Sequence, residues 1–500
     1  MPMELFNTMG RSLQEFIPIH AGKAGFYGCG PTVYNYAHIG NLRAYVFQDT
    51  LSRTLSFLGY DVHHVMNITD IGHLANDADE GEDKMVASAK ERGMSVLEIA
   101  SYYTEAFFND TQRLNIRMPT TVCKATEHIP EMIELISRIE ANGHTYQSGG
   151  NLYFDISTFP EYGKLANLNL DDLKAGARID VDPNKRNPYD FVLWFTNSKF
   201  ENQALVWPSP WGRGYPGWHI ECSAMSIKYL GESFDIHSGG IDHIPIHHTN
   251  EIAQSEAATG KKWVSYWLHN EFLVMDKGKM SKSSGNFLTL QHLIDQGYDP
   301  LDYRLFLLGG HYRSQLAFSW ESMEGARNAR KNMIQRVAKI IEATKALPDA
   351  VTSDGTYTAP LATDYLDRFR VALEADLSTP RAIAELQGLI RDSSLSPRTI
   401  LATIEKMDEV LALSIISTAQ TMLDKKQQMV QGPGADARID ALIIERSCAK
   451  KDKNYARADE IRNQLSAEGI ILEDGPSGTI WKRIDLEDTT GCNSPGDSIV

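Results

Sequence analysis

The sequence predicts an α/β protein: a parallel-sheet domain with a small β-containing insertion, then a helical bundle, then a small C-terminal α/β unit. Three observations predict it. Strand, helix and strand patterns follow one another from Phe26 to Thr69. A turn-rich stretch near 144–206 holds short β-like pieces, after which helix and strand patterns resume at Pro216. Beyond Phe287 the pattern is helical, with few strand signals before Ile471.

Residues 1–22 lead into the core. Phe26–Tyr27 reads as a buried strand end, the chain turns through Gly28, Gly30 and Pro31, and a helix enters near His38. Strand, Gly-rich turn and helix is the order that sets backbone N–H groups and a helix N-terminus against a phosphate. Cys29 can be a thiolate ligand, and His38 can donate to a phosphate oxygen. Taken alone, each is equally well a buried cysteine or a satisfied core histidine. Leu42, Val46, Leu51, Leu55 and Leu58 keep close to helical spacing, and Gly59 sits where a C-cap glycine belongs. Asp61 to Thr69 alternates as a strand does. The resulting βαβ unit implies a parallel sheet with ligands at the strand C-terminal ends. Thr69 and Asp70 close the second strand, as substrate contacts or as an ordinary Thr-Asp turn.

The acidic run 77–83 reads as a solvated loop, and 84–143 reads as mainly helical. In the β-containing insertion, Asn151–Asp155 and Phe191–Phe195 are strand-like, separated by turns such as Asp182–Pro188. Pro216–Cys222 then leads into a helix over Ser223–Leu230. Phe234–Asp242 reads as strand, Gly turn and exposed Asp. His247 and Glu251 stand at i and i+4, so they share a helix face and can converge on one ion. Surface helices show that pair often. With Cys222 and Cys29 it makes a set of two thiolates, an imidazole and a carboxylate, which suits zinc. Lys279 and Lys282 flank Met280–Ser281 in a Gly/Ser loop, where mobile ammonium groups can follow a departing phosphate or simply face solvent.

Composition bounds the function. Five hundred residues suggest roughly two to four domains. No stretch offers the ~18 apolar residues of a membrane span, and the N-terminus shows no secretory signal. Five scattered cysteines argue against a disulfide framework and for a reducing cytoplasm. A net charge of −16 disfavours bulk electrostatic capture of nucleic acid but allows a local basic groove. Gly28 and Gly30 lack a third glycine, since Val33 holds its place, so a dinucleotide fingerprint is rejected.

His38-Ile-Gly-Asn41 with Lys279-Met-Ser-Lys-Ser283 resembles the paired signatures of class I aminoacyl-tRNA synthetases. Cys29, Cys222, His247 and Glu251 match the zinc ligands of the cysteinyl-tRNA synthetase family. Gly217–Met225, His247–Ser255, Gly278–Phe287 and Lys453–Arg462 resemble that family closely, and the likeness runs from about Leu5 to about Arg483. Three positions depart from its usual pattern: Asn41 stands where a second His is common, Thr249 where an acidic residue is usual, and Ser238 where Gly is typical.

The resemblance implies a Rossmann-like catalytic domain over 1–320, with an insertion at about 118–206 too small for editing. A helical bundle over 321–430 follows, then an anticodon-binding unit over 437–486 and a disordered tail over 487–500. Gln427–Asp436 reads as a linker. The basic helix with Lys450, Lys451, Lys453, Arg457 and Arg462, beside an accessible Trp481, suits phosphate contact and base stacking, or is an ordinary amphipathic helix. The implied reaction activates L-cysteine with ATP and passes it to tRNA(Cys). Its implied roles are His38 and Asn41 at the α-phosphate, Lys279 and Lys282 at the β- and γ-phosphates, and Gly40, Gly240, Asp242 and Lys282 on ATP. Thr69 and Trp218 would close the amino-acid pocket, with His237 near the substrate amine. The implied cofactors are one zinc and Mg²⁺ with ATP, and the implied state is a cytoplasmic monomer without membrane contact. Two other readings stand beside it: a cysteine-activating ligase with a small-amine acceptor such as an amino sugar, and a non-catalytic RNA-binding paralog.

Overall fold

The computed structural model describes residues 2–72, 84–168, 183–197, 205–275, 288–345, 359–430, 437–452, 454–475 and 478–483. The chain opens with an antiparallel pair, β1 (Glu4–Asn7) and β2 (Ser12–Glu15). The βαβ unit follows as β3 (Lys23–Gly28), α1 (Ile39–Phe57) and β4 (Asp61–Ile68), with Gly59 at φ +95 just past the helix end. Helices α2 (Lys84–Arg92) and α3 (Val96–Arg113) come next, then β5 (Thr121–Lys124) and α4 (Ile129–Ala141). The insertion is a four-stranded antiparallel sheet of β6 (Thr145–Ser148), β7 (Asn151–Phe154), β8 (Phe191–Phe195) and β9 (Tyr215–Pro216). The parallel domain resumes with α5 (Trp218–Leu230), β10 (Phe234–Gly240), α6 (His247–Thr259) and β11 (Val264–Asn270).

The central sheet is parallel, in the order β11-β10-β3-β4-β5. From β3 the chain steps one way to β4 and β5, while β10 and β11 lie on the other side. That reversal opens a crevice at the C-terminal ends of β3 and β10. Successive residues of β3 face opposite layers, as strand geometry requires. Phe26 packs with Leu51 and Leu55 of α1, whereas Tyr27 packs in a cluster with Cys222 of α5 and Ala253 of α6.

Residues 84–143 are mainly helical, as expected, and β5 within them forms the edge of the central sheet. It has only four residues, of which Cys123 alone is buried, so it shows almost no alternation. For the same reason the insertion is narrower than 118–206 at its start. Residues 121–124 belong to the parallel sheet, α4 packs on α5 and α6, and the antiparallel sheet runs from Thr145 to Pro216. The helix expected over Ser223–Leu230 begins earlier, at Trp218.

Beyond β12 (Leu273–Met275) come α7 (Leu290–Asp295), α8 (Pro300–Leu308) and β13 (Leu316–Phe318), which pairs with β12. The bundle is α9 (Trp320–Lys345), α10 (Thr363–Glu374), α11 (Thr379–Arg391), α12 (Pro397–Leu411) and α13 (Ile415–Val430). Val337, Leu386, Ile404 and Leu411 form its core, which runs on into Leu42 and Val46 of α1. Each such side chain contributes roughly 1.5–3 kcal/mol on full burial. Residues 427–430, expected in a linker, continue α13 instead. The last unit is α14 (Ala437–Lys451), α15 (Tyr455–Ala467) and the hairpin β14 (Ile470–Gly475) with β15 (Gly478–Arg483). Among the described residues no helix is long and apolar enough to cross a membrane.

Candidate active site

Cys29 directly follows β3 and is pinned from both sides. Its N–H donates to the Ser238 carbonyl on β10 at 3.1 Å, and the next residue, Gly30, donates its N–H to Asn67 Oδ1 on β4 at 2.8 Å. A Cβ at residue 30 would lie 1.6 Å from the Asn67 carbonyl oxygen, so only glycine lets the chain pass. Cys222 lies in the second turn of α5, while His247 and Glu251 occupy the first two turns of α6. These four side chains are buried, and their ligand atoms all lie within 4.8 Å of one another.

The electrostatics suit a cation. Burial pushes the Cys29 thiol up, and its hydrogen bond to Cys222 pulls the Cys222 thiol down. Burial also opposes charge on Glu251, but His247 and His237 outweigh it and hold the carboxyl down at about 2. Glu251 Oε1 lies 2.8 Å from His247 Nε2, yet no donor among the described residues meets it in line. Both atoms belong to the four-residue donor set that could hold one ion at a common centre. On its far side His247 Nδ1 meets His219 Nδ1 at 2.9 Å, which leaves Nε2 to face that centre. Two thiols, an imidazole and a carboxylate in this arrangement fit a tetrahedral zinc.

A second set shares part of the cluster. Cys29, His237, His248 and Glu251 also bring their ligand atoms within 4.8 Å. In it, His248 Nε2 lies 3.3 Å from Cys29 Sγ, and His248 Nδ1 is 2.8 Å from His269 Nε2. His219, His243, His248 and His269 had no assigned place from sequence. Only the His247-His248 doublet hinted at one.

His237 lies on β10. It pairs across the sheet with Tyr27, so its side chain faces α6. Its Nε2 contacts Glu251 Oε2 at 2.8 Å, its ring stacks on Trp267, and it is fully buried away from the lining of the cleft.

Above the four side chains lies a cleft of about 710 Å³. His38, Gly40 and Asn41 line it at the start of α1, Gly240 and Asp242 beyond β10, and Thr69 and Trp218 on its walls. His38 caps α1: its Nδ1 accepts from the Asn41 N–H at 3.2 Å, and Asn41 Oδ1 accepts from the His38 N–H at 3.2 Å. Burial lowers the His38 imidazole. Thr69 donates to the buried Glu221 carboxylate at 3.1 Å. Trp218 stacks on His247 with ring centroids 4.3 Å apart. Asp70 instead holds Thr126 through Oδ1 and Oδ2. Lys279 and Lys282 lie outside the described residues, as do the acidic run and the C-terminal tail.

In the C-terminal unit Trp481 is half-buried: it packs on the cluster of Ile439 and Ile461, and its Nε1 donates to Asp440 at 3.3 Å. Arg457 pairs with Glu445 and Glu460, and Lys450 with Asp474.

Residues 15–328 match the family described as the class I (C) tRNA synthetase catalytic domain, and residues 432–481 match the cysteinyl-tRNA ligase anticodon-binding domain. A cysteine–tRNA ligase of Treponema denticola is 62% identical over 502 residues, covering 97% of this chain and all of that protein. One from Borrelia turicatae is 44% identical, again over 97% of this chain and all of that protein. The Mycobacterium tuberculosis methionyl-tRNA synthetase structure with methionyl-adenylate is 17% identical, with a TM-score of 0.53, over 82% of this chain and 95% of that one. At that identity the likeness speaks for the fold alone.

Proposed function

The chain belongs to the cysteine–tRNA ligase family of class I synthetases, and from that premise we propose that a zinc ion held by Cys29, Cys222, His247 and Glu251 selects its amino acid. The activity is the ATP-dependent joining of L-cysteine to tRNA. The match of 432–481 to an anticodon-binding family leaves the small-amine acceptor without support.

The cysteine carboxylate attacks the ATP α-phosphate, cysteinyl-adenylate forms and pyrophosphate leaves. A terminal ribose hydroxyl of tRNA(Cys) then takes the acyl group as AMP departs. In our reading His38 and Asn41 turn from capping α1 to hold the α-phosphate, beside a helix N-terminus that already favours an anion. Gly40, Gly240 and Asp242 cradle the nucleotide, with Asp242 accepting from the ribose hydroxyls. Lys279 and Lys282 take the β- and γ-phosphates, and Mg²⁺ accompanies ATP. Thr69 and Trp218 wall the amino-acid pocket. His237 orients Glu251 and stands near the substrate amine. Most of the acceleration comes from positioning and charge stabilisation.

Cysteine and serine differ by one atom, and pocket shape separates such pairs by only roughly 1–3 kcal/mol. Bound by those four side chains, zinc would supply a soft centre that prefers substrate sulfur to a serine oxygen. The observation that supports this reading is the convergence of two thiols, an imidazole and a carboxylate, of which Cys29, Cys222 and His247 line the cleft. We assign catalysis to 1–320, the bundle to 321–430 and anticodon binding to 437–486, in a cytoplasmic monomer.

The test is assay of purified full-length protein for charging of tRNA(Cys), with bound zinc measured alongside. Charging with cysteine and not serine, at close to one zinc per chain, is expected. Full charging by protein that carries no zinc would contradict the proposal.

A further inference from the structure

We propose that Tyr36, Tyr102 and Arg92 form a stacking surface for the unpaired 3′ end of tRNA at the mouth of the cleft. The proposal rests on the ligase reading above and names where its second substrate enters.

Tyr36 lies two residues before His38 and lines the cleft mouth. Tyr36 is 41% exposed, and Tyr102, on α3, is 40% exposed. Both stand edge-on to Tyr103, with centroids 5.2 and 5.1 Å away. Tyr103 is only 2% exposed and seats the trio on the core. The Tyr36 and Tyr102 hydroxyls meet at 2.5 Å, which ties the loop before α1 to α3. The Arg92 guanidinium sits 5.5 Å over Tyr102 and 5.3 Å over Tyr103, and no carboxylate among the described residues pairs with it. Lys90 stands in the last turn of the same helix.

Exposed rings beside a cation are what single-stranded nucleic acid needs: a stacking platform for a base and a charge for its phosphate. In a chain of net charge −16, bulk attraction does not bring RNA here, so the contact must be local. The surface is continuous with the cleft where the acyl group leaves. The acceptor's reactive hydroxyl has to reach the neighbourhood of His38, and Tyr36 stands beside that path.

The experiment compares Tyr102→Ala, Tyr102→Phe and Arg92→Ala with wild-type full-length protein. Each is titrated with tRNA(Cys) and with the same tRNA trimmed of its unpaired 3′ nucleotides. Tyr102→Ala is expected to weaken binding of the intact tRNA by about fivefold or more, with little change for the trimmed one. Tyr102→Phe should bind as wild type does, because the ring is kept, and Arg92→Ala should reduce the salt dependence of binding. Equal binding of intact tRNA by Tyr102→Ala and wild type overturns the proposal. So does a matching loss for trimmed tRNA, or a rise in the KM for ATP in pyrophosphate exchange, which would put the rings in the nucleotide site. Cysteine-dependent exchange by wild type reports on the ligase reading separately. If it is present while the tRNA results are negative, only the surface is lost; if it is absent, both are.

Discussion

His237 Nε2 lies 2.8 Å from Glu251 Oε2, and neither side chain reaches solvent. The other Glu251 oxygen faces His247, Cys29 and Cys222. A strand residue thus fixes the rotation of a helix carboxylate that faces the floor of the cleft. Such supporting contacts usually change metal affinity by 10–100-fold when removed. His237→Ala should therefore lower zinc affinity by about that factor in competition with a chelator. Unchanged affinity would show that Glu251 needs no support from β10.

The two overlapping donor sets make opposite predictions. If Cys29, Cys222, His247 and Glu251 hold the ion, Cys222→Ser empties the protein of zinc while His248→Gln keeps most of it. Zinc per chain after gel filtration decides the matter. The reverse pattern would move the ion to the set that contains His237 and His248.

Arg304 of α8 is fully buried and joins three parts of the chain. It donates to Asp49 on α1 at 2.6 Å, to the Leu411 carbonyl at the end of α12 at 2.7 Å, and to the Leu114 carbonyl at 2.9 Å. Asp49 also holds Arg53 and the Arg117 N–H. Arg304→Leu would strand two carbonyls and weaken the hold on a buried carboxylate, at a cost of about 3–5 kcal/mol. Urea unfolding checks this. A loss under ~1 kcal/mol would mean that the network adds little to the docking of α1 on the bundle.

His64 on β4 is buried against Phe26, ring centroids 4.3 Å apart, and burial pushes its imidazole down to about 3. The unfolded chain takes up a proton near pH 6.5, while the folded chain does not until about pH 3. Stability from this group is thus present above pH 6.5 and is lost as pH falls below it. Between pH 7 and pH 5 the loss comes to about 2 kcal/mol. Between pH 7 and pH 5 wild type should lose about 2 kcal/mol more than His64→Leu in denaturant unfolding. Parallel curves would contradict the assignment.

How far the sequence led can be seen residue by residue. The helix of Leu42, Val46 and Leu51 was legible because its apolar positions keep one period and Gly59 ends it. β5 was not, since an edge strand of four residues with one buried side chain carries no such pattern. No local spacing relates Cys29 to Cys222; the parallel pairing of β3 with β10 brings them together, with Ile236 opposite Phe26. Spacing pairs His247 with Glu251, while Cys29 and Cys222 join them only through the assembled sheet. The partners of His237 were not legible because its face depends on register with Tyr27, which only the assembled sheet fixes.

The most direct measurement is cysteine-dependent pyrophosphate exchange before and after zinc is stripped from the full-length protein, with serine run in parallel. The account predicts that stripping abolishes exchange with cysteine, that added zinc restores it, and that serine stays inert while zinc is bound. Cysteine exchange that persists at full rate in the stripped protein would contradict it.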